Sequence, residues 1–361
     1  MIDCLIYFAV FAVVFILNYM AIRQKNPGLK KFLIITGFLI LLAFIGFRYN
    51  VGTDYDSYLK SYTTISEVSW SKLPSLRTEL LVASIFKLCS YILWDARLIF
   101  VVLGFLMLWP IYKINKLYDY KYLAYSVLIY CVLFLPFGLN GMRQGIAMGF
   151  AMLSLVYMYR KKIKNGLISF VLAVLLHTSS LIILPYLALI YFTERKNIKF
   201  SVLNLLLTAF ISVAVLFFLN NFLLENGFSQ YDYILGKINI ERMSLNGVIM
   251  YAPILLLTLI LRNNGIEKKE YSITKGLTIS GAIFSIVGTA AQYLSRFSLF
   301  FLMPSIVLVP QLIQSIPKKN IRIILKCLLF IYLLIFFYVQ YSLWGKHEIL
   351  PYQTWIFGGM A

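Results

Sequence analysis

The chain has 361 residues, of which 61% are hydrophobic and only 13% charged, and its net charge is +19. Soluble domains are near half apolar and a quarter charged, so this composition excludes a water-soluble enzyme, a disordered chain and a disulfide scaffold. Long apolar runs between short basic stretches predict a polytopic membrane protein, and the cationic excess fits loops lying on anionic lipid better than nucleic-acid binding.

A membrane-crossing helix takes about 20 apolar residues. The first predicted span covers 3–22. It precedes the basic cluster Arg23, Lys25, Lys30 and Lys31, the wrong order for a cleaved leader, and this places the N-terminus outside. A second span covers 32–47. The segment 48–96 is rich in polar and aromatic residues (Tyr49, Tyr55, Tyr58, Tyr62, Trp70) and is predicted as a long outer loop. Within it, 79–94 is apolar but short and carries Lys87, so it reads as an interfacial or re-entrant helix. Spans at 97–113, 122–138 and 142–159 follow. The run 165–193 is too long for one crossing and is interrupted by His177, Thr178, Ser179 and Ser180, which predicts two short helices meeting at a polar break. Further spans lie at 200–219, 247–261, 276–293, 296–314 and 324–343, with a second outer loop at 220–246 and an outer tail at 344–361.

The stretches 23–31, 113–121, 160–164, 195–199, 262–275 and 317–326 are all basic. If all are cytoplasmic, an even number of crossings separates each consecutive pair. The count is then about 12, with both termini outside, in one all-α transmembrane bundle spanning 1–361. The cysteines Cys4, Cys89, Cys131 and Cys327 lie in apolar runs without a CxxC pair and read as small core residues.

Lysine and arginine distribute differently. The proposed inner stretches and their flanks hold 17 of 22 lysines but only 5 of 11 arginines. The remaining six are Arg48, Arg77, Arg97, Arg143, Arg242 and Arg296. Topology signalling does not distinguish the two residue types, whereas phosphate binding does, because guanidinium offers a planar fork to two oxygens. Arg48, Arg143 and Arg296 sit at span ends of matching depth and could converge on one anionic ligand. Snorkelling of a single arginine to the interface is the plainer alternative for each taken alone. In FGLNGMRQGIAMG, Asn140 is a candidate N-cap and Arg143 falls in the first helical turn, where a cation opposes the helix dipole and a bound anion would relieve the conflict. Gly141, Gly145 and Gly149 recur every fourth residue and predict a face for close helix packing.

His177 at its polar break is either a satisfied polar bridge or a base in a cavity. His347 reads as a solvated tail residue. Asp54-Tyr55-Asp56 forms a DxD, but its predicted outer location argues against a nucleotide-sugar metal site. Asp54 is better read as an arginine partner or an acid/base group, with Tyr55 and Tyr58 as stacking surfaces for sugars. P-loop, GxGxxG, HExxH and GxSxG signatures are absent. Acids within spans are scarce, Glu79 at a segment edge being the nearest case, which disfavours a proton-coupled transporter.

The stretches FRYNVGTDYDSY (47–58), LNGMRQGIAMGFAM (139–152), LHTSSLIILPYL (176–187), YLSRFSLFF (293–301) and PYQ (351–353), in that order, resemble the EpsG-like branch of Wzy-type polysaccharide polymerases. The motif positions falling on this chain are Arg48, Gly52, Asp54, Tyr55, Arg143, Gln144, His177 and Arg296. The resemblance implies a GT-C-like helical architecture in the bacterial inner membrane, with its site facing the periplasm or exterior. It implies a glycosyltransferase that passes a polyprenyl-pyrophosphate-linked oligosaccharide to a sugar hydroxyl of another lipid-linked repeat unit, without metal or other cofactor. Arg48, Arg143 and Arg296 are then expected at the pyrophosphate, Tyr55, Tyr58 and Gln144 at the substrate, and Asp54 or His177 as the base. Guanidinium groups in a partly dry site would stabilise the departing phosphate, and direct attack would invert the anomeric centre. By resemblance alone, a chain-length regulator is a plausible protein partner. A glycan ligase and a flippase for the same lipid-linked sugar are the alternatives.

Overall fold

The computed structural model describes residues 2–76, 78–196, 244–261, 267–289 and 294–356. The predicted span at 200–219, the loop 220–246 as far as residue 243, Arg77 and Arg242 lie outside the described residues. Among the described residues the regular structure is helical, apart from one isolated antiparallel bridge between Arg48 and Thr354. In chain order the α-helices are α1 (Ile2–Ala21), α2 (Pro27–Gly46), α3 (Tyr55–Glu67), α4 (Leu80–Ser90), α5 (Ile99–Leu117), α6 (Leu123–Leu133), α7 (Leu135–Asn140) and α8 (Met142–Tyr159). They continue with α9 (Ile163–Leu176), α10 (Leu184–Lys196), α11 (Asn246–Ile249), α12 (Ala252–Ile260), α13 (Lys268–Val287), α14 (Leu294–Leu302), α15 (Ser305–Gln314) and α16 (Lys319–Phe337).

Among the described residues, four helical stretches are long and apolar enough to cross a bilayer: Asp3–Ala21, Pro27–Gly46, Ala96–Leu117 and Lys319–Leu343. Ser295–Leu302 and Ser305–Gln314 form a bent pair with a 42° break. Proline explains where hydropathy merges what the backbone separates. The run 122–138 divides at Phe134, ahead of Pro136; the run 247–261 divides ahead of Pro253; the run 296–314 bends at Pro304. A proline lacks the N–H its helix needs and sterically restrains the residue before it, so it starts a helix more readily than it continues one. The run 165–193 breaks at His177, with a 3-10 turn at Thr178–Ile183 between α9 and α10.

The chain falls into two compact units. The first comprises Met1–Gly149, Leu175–His177 and Cys327–Ala361. Within it α1 packs on α2 and α6, α2 packs on α5, and α3 packs on α4. Asn26 caps α2 by accepting from the N–H groups of Gly28 and Leu29, with Pro27 opening the helix. Small residues let helices approach closely: a Cβ on Gly46 would meet Val101, and one on Gly145 would lie 3.0 Å from the Cα of Gly138. Two of the three predicted glycines thus form a packing face on α8, with Gly149 against Pro110, while Gly141 lies in the break before the helix. The described residues of 48–96 are built around α3 and α4. At about 1.5 Å per residue α4 is too short to span a bilayer, and its Lys87 Nζ donates to the Ser66 carbonyl at 2.7 Å.

Residues 348–353 are pinned to the end of α2 and the turn that follows it. Tyr49 N–H donates to the Gln353 carbonyl at 2.9 Å, Gly52 N–H to the Glu348 carbonyl at 3.1 Å, and the Tyr352 hydroxyl to the Phe44 carbonyl at 2.8 Å. His347 is half-buried against Phe137 and Tyr341, with Asn140 Nδ2 at 3.5 Å from its Nδ1, rather than solvated.

The second unit comprises Phe150–Val174 and Thr178–Lys326. Its α13 packs on α11, α12, α14 and α15. Polar bonds link its helices: Tyr186 to Ser280 at 2.8 Å, and Gln311 Nε2 to Glu270 Oε1 at 2.9 Å. Arg296 lies half-buried in the first turn of α14 within this unit.

Candidate active site

Stretches far apart in sequence meet inside the first unit. The link from α2 to α3 turns back on the α7–α8 junction. Gly52 makes this possible: its φ is +91°, and a Cβ there would sit 3.2 Å from the Leu139 carbonyl oxygen. Asn140 fastens the two pieces, its Oδ1 accepting from Thr53 Oγ1 at 2.6 Å and from the Asp54 N–H at 2.9 Å. Its side chain thus serves the start of α3. It does not cap α8, because Asn140 closes α7 and the chain breaks at Gly141 before α8 begins.

Arg48 lies beneath this junction and is completely buried. Its Nη1 donates to the Ile45 carbonyl at 3.0 Å, its Nε to Val51 at 3.2 Å and its Nη2 to Leu139 at 2.9 Å. The guanidinium lies 4.3 Å from the Phe100 ring centroid. Burial lowers its pKa to about 10, which still leaves it cationic at neutral pH. Its position at the end of α2 suggests a phosphate ligand, yet in this arrangement the guanidinium presents no open face. It joins α2, the turn at Val51 and the end of α7.

Tyr55 and Tyr58 are also buried. Tyr55 stacks on Phe100 at 4.5 Å. The Tyr58 hydroxyl accepts the Arg143 backbone N–H at 3.2 Å, partnering one of the orphan donors at the start of α8; burial raises its pKa. Neither ring offers the open stacking face expected for a sugar. Asp54 is half-buried at the N-cap of α3 without a side-chain capping bond, and Asp56 is exposed. Positions two apart do not face each other on a helix, so this DxD is poorly arranged to share a metal.

Arg143 stands in the first turn of α8. Its conflict with the helix dipole is relieved from within the protein. Glu79, at the N-cap of α4, turns its carboxylate away from its own helix and accepts from Arg143 Nη1 through Oε2. The other oxygen, Oε1, lies 2.6 Å from His177 Nδ1. Glu79 is therefore the hub of a three-residue cluster built from α4, α8 and the break after α9. Burial by itself would raise the Glu79 carboxyl. The hydrogen bond from His177 and the charge of Arg143 outweigh it and hold the group below the usual carboxylate range. The hub is enclosed and its partners are more open: side-chain exposure is 15% for Glu79, 28% for His177 and 35% for Arg143. Gln144 is buried beside Arg143 in the same turn.

Arg97 is held by Asp95, with Nε 3.0 Å from Oδ1, and lies over the Trp355 ring. It belongs to the fold. Among the sequence-derived site residues, Asp54, Tyr55, Tyr58, Arg48, Arg143, Gln144 and His177 are gathered in the first unit, and Arg296 belongs to the second. Glu79 is a candidate that sequence reading notes only as an acid at a segment edge and to which it gives no role in the site. Its signal is a lone acid opening an otherwise apolar segment, and only tertiary structure supplies its partners.

A family model described as the EpsG family matches residues 31–354. No curated protein and no solved structure matches the chain significantly.

Proposed function

The chain belongs to the EpsG family, a Wzy-like polymerase family, and from that premise we propose that it polymerises polyprenyl-pyrophosphate-linked oligosaccharide repeat units. Family membership makes it a polysaccharide-polymerase-type membrane protein. Within that class, we read it as a glycosyltransferase of about 12 crossings with a GT-C-like architecture, set in a bacterial inner membrane with its site toward the periplasm or exterior. The observation that carries it is Arg143: a helix-start guanidinium that is partly open and linked to His177 through the two oxygens of Glu79, in a membrane bundle with few acids.

In this reading the acceptor hydroxyl attacks the anomeric carbon of the donor as the bond to the pyrophosphate breaks. Negative charge grows on the departing phosphate, and Arg143 neutralises it. A guanidinium in a partly desolvated site does this without metal. Direct displacement inverts the anomeric centre. Asp54 and His177 are the residues able to receive the hydroxyl proton, Gln144 supports the substrate side, and Arg48 positions the α2–α3 link beside the site. A chain-length regulator would act as a separate partner.

The test uses purified protein in liposomes carrying lipid-linked repeats in both leaflets. Growth of longer glycans on the lipid is the expected result. Mere redistribution of single repeats between leaflets would mark a flippase, and transfer of finished glycan to a different acceptor would mark a ligase.

A further inference from the structure

We infer that Glu79 is the positioning residue that sets the proton on His177, making His177 Nε2 rather than Asp54 the base of the transfer. The inference rests on the glycosyl-transfer reading of this same site. A carboxylate held ionised can only accept hydrogen bonds. The 2.6 Å separation between Glu79 Oε1 and His177 Nδ1 therefore requires the proton on Nδ1, since the other neutral tautomer would set lone pair against lone pair. With Nδ1 protonated, the neutral ring keeps its free lone pair on Nε2.

The geometry then closes the chemistry. The acceptor oxygen bonds to the anomeric carbon, the bond from that carbon to the phosphate oxygen breaks, and its electron pair leaves with the diphosphate. The hydroxyl proton passes to Nε2. The imidazolium so formed is stabilised across Nδ1 by the Glu79 carboxylate. The same carboxylate fixes Arg143 through its other oxygen, so the proton acceptor and the leaving-group cation are held in register by one side chain. Asp54 has no such orienting contact: its backbone N–H is tied to Asn140 and its side chain makes no capping bond.

Glu79→Gln is the discriminating variant. Arg143 can only donate, so it takes the amide oxygen, and the amide NH2 is left facing His177 Nδ1. The histidine must then accept at Nδ1 and carry its proton on Nε2, the wrong nitrogen for a base. In a serine-protease triad, changing the orienting carboxylate to its amide costs on the order of 10⁴-fold in kcat. A loss of at least about 10³-fold in kcat with KM little changed is expected here on the same physics. Glu79→Asp should recover part of the rate.

The chain has only two histidines, so 15N-histidine NMR of the protein in lipid, assigned with a His347→Gln variant, reads the tautomer directly. The expected result is a protonated Nδ1 with unprotonated Nε2 in the native protein, reversing in Glu79→Gln. A native His177 protonated on Nε2, or on both nitrogens at neutral pH, would overturn the inference. So would full polymerisation by Glu79→Gln. The spectrum needs no sugar: if native protein shows the expected tautomer yet makes no polymer, the transfer reading fails and the Glu79–His177 contact stands.

Discussion

Replacing Arg48 with lysine separates a fold-holding guanidinium from a ligand-binding one. Lysine keeps the positive charge, so the cost of burying it remains, but one ammonium cannot reproduce three directed bonds from Nε, Nη1 and Nη2 to Val51, Ile45 and Leu139. Losing even two such bonds to a charged donor, at about 1.5–3 kcal/mol each, removes about 3 kcal/mol or more. Because every 1.4 kcal/mol is a factor of ten, the population in which the link at 48–54 opens should rise roughly 100-fold. The reporters are the amides of Tyr49 and Gly52, which donate to Gln353 and Glu348. Hydrogen–deuterium exchange in nanodiscs should show both protected in the native protein and strongly accelerated in Arg48→Lys, with α13 unaffected. Unchanged exchange at 48–54 combined with lost polymerisation would refute the reasoning, because Arg48 would then be acting on a ligand.

Acid should weaken the Glu79 cluster. The folded-state pKa of Glu79 is depressed, so its contribution is fully present above the ordinary carboxylate value of about 4.3 and is lost as pH falls through the folded value. The gap in thermal midpoint between native protein and Glu79→Gln should close as pH falls below about 4; a gap that persists into acid would contradict the assigned ion pair. Gly52→Ala should destabilise the α2–α3 link by about 1–2 kcal/mol, because it forces a side chain into positive φ next to the Leu139 carbonyl. Calorimetry or exchange at 48–54 checks this, and an unaltered protein would mean the turn is not as described.

Helix content and the apolar pattern were legible in sequence because they are local: about 20 apolar residues and a basic flank suffice. Breaks were legible where polar residues interrupt, as at His177, and invisible where only a proline does, as ahead of Pro136, Pro253 and Pro304. The Glu79 cluster, as a candidate site, was half legible. Arg143 and His177 stand out as polar groups at the ends of apolar runs, and Arg143 does meet a counter-charge at its helix start. That charge comes from Glu79, 64 positions away, a pairing no spacing rule encodes. Arg48, Tyr55 and Tyr58 draw attention for the same reason as Arg143, yet burial assigns them to the α2–α3–α7 junction. Sequence chemistry marks which residues are costly to place, and only packing tells whether the fold or a ligand meets that cost.

The central claim is that the Arg143 fork stabilises a departing lipid diphosphate. Its most direct measurement is multiple-turnover polymerisation of excess lipid-linked repeats by Arg143→Lys and Arg143→Ala in liposomes, with amide exchange recorded on the same samples. The glycan ladder should collapse to single repeats in both variants while the first unit stays protected, since a point charge does not replace a planar fork. A ladder of native length and rate from either variant would contradict the claim.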